Sequence, residues 1–420
     1  MSGTAILKPV ARCSLSLRHK CLYSEGSKMA SPESALQDLL LQKTRTRFPA
    51  VSLAIGKGSQ IIWHEAAGYA DVENGTRNTP ETLFGIGSIT KVFIAVLALQ
   101  LNEEGLLPLD TPVSRWLDEK LLSRIAHADT VTPRQLLSHY AAIPSWEDDP
   151  GWISDARGKH LNPERRWMPH KTLDYIRGKK ALSLPGENFH YSNTHFTLLG
   201  LLIEKITQNS LEAELSKRIL APLSLKNTCM AGASPAKSGN LAGKYHRLDA
   251  AFIQNAGFSP HFHPAPYGLI NVSASSLAVE WAAGGIVSTA QDIMTFILAL
   301  KNAQLLNPQS MKAMQRWLPA ESGEMGLSLF RIETDYGPAL GHGGNVLGFS
   351  ACVWWYQHSD CVVAILTNAG SMHADPQADC ASRFFRESEA GKLAQEIASR
   401  YAGDSDPVSI HRGENHEPYS

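Results

Sequence analysis

The sequence contains no Cys-x-x-Cys pair, no Gly-x-Ser-x-Gly, and no apolar run longer than Val92 to Leu99. That run falls far short of the roughly 20 residues that span a bilayer, so a soluble chain with no membrane partner is expected. Without Gly-x-Ser-x-Gly there is no nucleophile elbow of the α/β-hydrolase kind. The six cysteines (Cys13, Cys21, Cys229, Cys352, Cys361 and Cys380) are too scattered for a disulfide framework, which favours a reducing compartment. Neither sign of charge dominates: 39 Lys and Arg stand against 40 Asp and Glu, a formal net charge of -1. No basic face is therefore expected to attract nucleic acid or an anionic surface.

The first 33 residues also lack a continuous apolar core, because Lys8 and Pro9 interrupt Ala5-Ile6-Leu7 at once. That argues against a secretory signal, and a cytoplasmic protein is expected. The absence of any acid before Glu25 leaves a mitochondrial presequence as the alternative. Residues 1–33 read as a flexible extension and 404–420, poor in apolar residues, as a disordered tail. What lies between, 34–403, reads as a single domain, and a chain that is 43% hydrophobic can fill its core.

Within it, Leu36, Leu39 and Leu40 predict an amphipathic helix over 34–45. "FPAVSLAI" and "IIWHEAAGYA", joined by "GKGSQ", predict a β-hairpin. A helix should start near Ser88 and stop at Gly105; its middle is apolar on all sides, so it belongs between layers. Residues 106–320 read as a mostly helical subdomain with Trp-, Pro- and Gly-rich loops such as "PSWEDDPGW". "MGLSLFRIE", "PALGHGG", "GFSACVWWYQ" and "CVVAILTN" then predict successive strands, and a helix over 377–401 closes the chain. The plan is α+β, an antiparallel sheet flanked by helices with the helical subdomain inserted.

Three short stretches carry candidate chemistry. In "FGIGSITKVF", Ser88 and Lys91 stand three residues apart and share one helix face. A helix N-terminus disfavours a cation and favours a developing oxyanion, so it suits a serine nucleophile with a lysine to take its proton. Val92 to Val96 are apolar, which places Lys91 at a buried site where it needs a partner. Ser88 could equally be an N-cap, stabilising the helix by about 1 kcal/mol. A second Ser-x-x-Lys, Ser234 to Lys237, has no apolar helix behind it and is set aside. In "PGENFHYSNTHFTLLG", Tyr191 and Asn193 at i, i+2 point the same way just before a helix. A phenol there can share a proton with Lys91, and an amide can position a carbonyl. In "GHGGNVLGFS", His342 is read at the end of a strand, and Gly343 and Gly344 let backbone approach a ligand and offer N–H groups to an oxyanion. Each of the three has an ordinary structural reading by itself.

Ser-x-x-Lys, Tyr-x-Asn and His-x-Gly in that order resemble the penicillin-recognising serine hydrolases, specifically the branch of class C β-lactamases, D-alanyl-D-alanine carboxypeptidases, D-aminopeptidases and esterases. The likeness runs from about 34 to 400, through "LFGIGSITKVFIAVLALQLNEEGLLPLDTPVSRWL", "VTPRQLLSHYAAIP" and "AAGGIVSTAQDIMTFILAL". It implies a β-lactamase/transpeptidase-like fold with no cofactor and no metal. It implies Ser88 as acylated nucleophile, Lys91 with Tyr191 managing its proton, and Asn193 holding the acyl-side carbonyl. His342 would contact Tyr191 or substrate, the N–H groups of Ser88 and Asn345 would form the oxyanion hole, and the Gly343-Gly344 strand would border the cleft.

Two departures bear on substrate. Gly343 stands where many relatives have a hydroxyl residue, and His342 where some have Lys. A hydrogen bond to a charged group is worth about 1.5–3 kcal/mol, so recognition of a substrate carboxylate should be weaker. An ester or small amide without that carboxylate is the expected substrate, through carboxylesterase or D-amino-acid peptidase chemistry or acyl transfer. β-Lactamase or carboxypeptidase activity is the alternative, and a catalytically idle scaffold is the alternative of another class. His139 reads as structural, the loops of Trp146, Trp152 and Trp167 as either pocket wall or packing, and His261 with His263 as short of a metal site.

Overall fold

The computed structural model describes residues 32–232, 240–374 and 388–401. Residues 1–31, the Ser234–Lys237 pair, the start of the expected closing helix and the tail from 404 lie outside them.

The chain begins with α1 (Pro32–Thr46) and the hairpin of β1 (Ala50–Lys57) and β2 (Gln60–Asp71). β1 pairs on its other side with Cys361–Thr367, setting Leu53 opposite Ile365 and Ala54 opposite Ala364. Around this pair runs a nine-stranded sheet, in the order Leu318–Ala320, Gly323–Met325, Phe330–Thr334, Gly337–Val346, Phe349–Tyr356, Cys361–Thr367, β1, β2 and Thr76–Arg77. All neighbours in it are antiparallel.

Both faces of the sheet are covered, which is why its central strands are apolar throughout rather than alternating. Val51, Leu53, Ile55, Val363 and Ile365 pack under α1 and the closing helix Glu389–Tyr401. Ala54, Val362, Ala364 and Leu366 face the larger core on the other side. In that core lies α2 (Thr90–Glu103), whose residues from Val92 to Leu99 are fully buried. Gly105, at φ 74, stops it as expected.

Several expectations are corrected. "MGLSLFRIE" is two strands, because at Gly326 to Leu329 the chain turns away: the Leu327 and Ser328 N–H groups donate to Met314 and Leu137 carbonyls, and Ser328 takes φ 65. His342 does not end a strand but lies inside Gly337–Val346. The helix pattern of "KTLDYIRGKK" is a 3-10 helix, Pro169–Ile176, and Ser216–Leu220 widens into a π turn. The middle section also supplies three strands of a four-stranded sheet and two of a three-stranded one, completed by Ala369–Gly370 and Phe84–Gly85, that its helical periodicity did not announce. No described helix is long and apolar enough to cross a membrane.

Candidate active site

A 3-10 turn, Gly87–Ile89, leads into α2 and carries Ser88 at the rim of a cavity of about 380 Å³. No side chain caps this helix, so Ser88 is not used as an N-cap. Lys91, one turn on, is fully buried. Its Nζ lies 2.9 Å from Ser88 Oγ and donates to Asn193 Oδ1 at 2.7 Å and to the Ala283 carbonyl at 2.6 Å. A neutral amine has two N–H groups and one lone pair. Asn193 and Ala283 are pure acceptors and take the two hydrogens, so the lone pair is aimed at the Ser88 hydroxyl. Burial pulls the Lys91 amine down to about 7, against the opposing pull of Glu147 and Glu280. At neutral pH the base form is therefore substantially populated.

Asn193 opens the helix Asn193–Thr207. Its Nδ2 donates to Glu147 Oε2, which fixes the amide with its oxygen toward Lys91, since a carboxylate can only accept. The Tyr191 ring centroid is 5.0 Å from Lys91 Nζ, and the ring lies 4.2 Å from His139 and 6.3 Å from His342, centroid to centroid. The hydrogen-bond partners of Lys91 are thus Ser88, Asn193 and Ala283, with Tyr191 flanking them. His139 accepts from the Ser192 N–H at 3.2 Å and sits 3.1 Å from His195 Nδ1, a structural placement behind Tyr191. His342 is fully buried, with Nδ1 2.5 Å from the Gly343 carbonyl. Burial pushes it down to about 3, helped by the Lys91 charge, so it is neutral at pH 7.

The strand of His342 comes against the Ser88 turn at Gly344. A Cβ on Gly344 would stand 2.0 Å from the Ile86 carbonyl oxygen and 3.1 Å from the Ser88 nitrogen. Gly87 takes φ 52, and a Cβ there would lie 2.8 Å from the Asn345 nitrogen. Two glycines facing each other thus let the backbone at Ser88 and at Asn345 come close together. Pairing with Phe330–Thr334 stops at Gly341, so from His342 to Val346 the strand is paired on one side only, by Phe349–Val353. Gly343, Gly344 and Asn345 line the cavity together with Ser88 and Tyr191.

Residues 33–383 match the family model described as Beta-lactamase. The chain belongs to the beta-lactamase family. Among curated relatives, protein flp of Staphylococcus aureus (strain MW2) is 31% identical over 180 residues, 43% of this chain and 34% of that protein. Esterase EstB of Burkholderia gladioli is 28% identical over 226 residues, 53% of this chain and 56% of the esterase. The chain thus spans about a third to a half of the length of the curated relatives it matches. Among solved structures, a D-stereospecific amidohydrolase from Streptomyces sp. superposes with a TM-score of 0.68 at 27% identity, covering 80% of this chain and 94% of that one. The beta-lactamase-type fold expected from the sequence is the fold observed.

This beta-lactamase-family protein builds its site with groups that the motifs did not name. Glu147, half-buried, and Glu280, buried, both act on the Lys91 amine, and the buried Arg157 bridges the two acids through Nη2 at 2.8 and 2.5 Å. Burial raises Glu280 to about 7 despite Arg157. The signal was an isolated acid in apolar surroundings, "LAVEWAAGG", and an acid beside Trp in "SWEDD". Trp146 and Trp152 are packing rather than pocket wall: both are fully buried, 4.6 Å apart, and Trp167 lies against the Arg165 guanidinium. Acids (Glu147, Asp148 and Glu321) line the described cavity wall, with no Lys or Arg among its residues. Among the described residues no cluster of His, Cys, Asp and Glu could hold a metal.

Proposed function

We propose that this protein is a serine hydrolase of esters and small amides that works through an acyl-enzyme on Ser88. The observation that carries the reading is the three-way engagement of Lys91, two fixed acceptors and the Ser88 hydroxyl. Lys91 takes the Ser88 proton as Oγ attacks the carbonyl carbon. The oxyanion is held between the amides of Ser88 and Asn345, and the leaving group departs with a proton returned from the Lys91–Tyr191 pair. Water then attacks the acyl-enzyme by the same route in reverse, and another alcohol or amine in its place makes the reaction an acyl transfer.

The substrate class follows from charge. A neutral His342, Gly343 without a hydroxyl, and three acids with no Lys or Arg among the described cavity residues give a carboxylate no fixed positive charge there. They suit a neutral ester or an amide whose acyl part carries an amine, as in D-amino-acid amides, and the likeness to a D-stereospecific amidohydrolase and to an esterase supports both. Turnover of a p-nitrophenyl ester, a D-alanyl amide and a chromogenic cephalosporin by wild type and Ser88→Ala tests it. The first two should be hydrolysed and should leave an adduct on Ser88 by intact mass, with the cephalosporin a poor substrate. Turnover that survives Ser88→Ala would sink the mechanism.

A further inference from the structure

The two acceptors of Lys91 come from distant parts of the chain. Asn193 starts one helix, and Ala283 lies in the short helix Trp281–Gly284. Neither is fixed by its own element alone. Asn193 could turn its amide over, and Ala283 sits in a single turn that Trp281 enters at φ 39, a backbone region costly for a bulky residue.

One guanidinium reaches both. Arg157 ends the helix Pro150–Arg157, with its side chain 1% exposed. Through Nη2 it donates to Glu147 Oε1, and the other oxygen of Glu147 accepts from Asn193 Nδ2. Through the same Nη2 it donates to Glu280 Oε1. The Glu280 carbonyl in turn accepts from the Ala283 and Gly284 N–H groups, at 2.8 and 3.2 Å, so the residue anchors the turn that carries the Ala283 carbonyl. The Trp281 ring holds that turn from the other side, filling space where Gly200 has no side chain: a Cβ there would meet the ring at 2.6 Å.

We propose that Arg157 is a positioning residue for the reaction, clasping both acceptors of Lys91, Asn193 through Glu147 and Ala283 through Glu280, so that the amine presents its lone pair to Ser88. The inference rests on the reading of Ser88 as nucleophile. Stability does not explain the cluster, since buried ion pairs are often matched or bettered by apolar residues of similar volume. Fixed geometry at the base does, because small misplacements of a reacting group cost rate steeply.

The charges around Lys91 give the test its second readout. Glu147 and Glu280 face the amine, Arg157 faces those acids, and His139, His195 and His342 around it are neutral at working pH. The Tyr191 and Phe196 rings complete the surroundings. Removing Arg157 leaves two acids near the amine and moves the acid limb of reactivity to higher pH. Glu280→Gln keeps the hydrogen bond to Arg157, removes one acid and moves that limb to lower pH.

The experiment measures the rate at which a fluorophosphonate probe labels Ser88 across pH, together with kcat and KM for a p-nitrophenyl ester. Arg157→Gln should slow labelling and kcat by about ten- to a hundredfold with KM little changed. Arg157→Lys should recover part of the loss, and Arg157→Gln and Glu280→Gln should displace the pH limb in opposite directions. If Arg157→Gln does not fold, Glu280→Gln and Arg157→Lys carry the test. Unchanged labelling and an unmoved limb in the folded variants would overturn the proposal. Wild type that is not labelled at Ser88 would overturn the nucleophile reading instead, and the clasp with it.

Discussion

Gly344 and Ile86 touch backbone to backbone: a single methyl on Gly344 would stand 2.0 Å from the Ile86 carbonyl oxygen. Neither side can give by rotating a side chain, so Gly344→Ala must push the His342 strand off the Ser88 turn. Overpacking of this kind costs about 1–3 kcal/mol, and here the cost should lie at the upper end and be joined by loss of turnover. Gly75, on an open turn at φ 65 with nothing within 4 Å, is the control; its alanine variant should cost about 1 kcal/mol and leave turnover intact. Urea unfolding of the two variants decides, and equal costs would contradict the contact.

In the proposed mechanism Lys91 is a base only when neutral. Its amine titrates near 7, so kcat/KM should rise with pH through about 7 and level above it. A profile flat from pH 5 to 8 would remove Lys91 from the role.

Lys91→Met should separate function from stability. It should lower the rate of Ser88 labelling by about a thousandfold or more, while leaving the unfolding midpoint unchanged or higher, because a desolvated amine gives way to an apolar chain of similar length. A large drop in the midpoint would mean that the three hydrogen bonds of Lys91 serve the fold first.

Carboxylate recognition gives a substrate prediction. A D-alanyl peptide with a free C-terminal carboxylate should show kcat/KM about 10- to 100-fold below that of its C-terminal amide, the equivalent of one missing charged hydrogen bond. Equal rates would place a carboxylate-binding group in the cleft other than His342 or Gly343.

Buried histidines set the acid limit of the fold. His195, His246 and His342 are each pushed by burial to about 3. Between about 6.5 and 3 the unfolded chain binds protons that the native chain does not, so stability rises with pH there and is lost as pH falls. Unfolding near pH 5 should take up about three protons from these residues alone, which the slope of stability against pH reports.

The local parts of this fold were legible because local pattern specifies them. α2, the hairpin and the central strands follow from periodicity and turn residues, and Ser88 with Lys91 from their spacing on one helix face. What periodicity could not supply was the company of Lys91. Ala283 contributes only a carbonyl, which any residue type carries, from 192 positions away. Glu147 and Arg157, ten residues apart, meet Glu280 only because a second stretch of chain 123 positions from Arg157 converges on them. Similarly, Gly326 to Leu329 satisfy a strand pattern, yet carbonyls at Met314 and Leu137 draw them off the ladder.

The outer cover of the sheet has a consequence for where the chain can be shortened. It consists of α1 and the closing helix, with Lys43 3.4 Å from Glu396 and Arg47 3.7 Å from Glu389. α1 lies on β1 and β2, whereas the closing helix lies on Phe349–Tyr356 and Cys361–Thr367, so the part of that apolar face formed by these two strands is covered only by the segment that follows them. Shortening the chain ahead of Glu389 would therefore bare Cys352, Val363 and Ile365, an apolar strip on two paired strands of the kind that invites association.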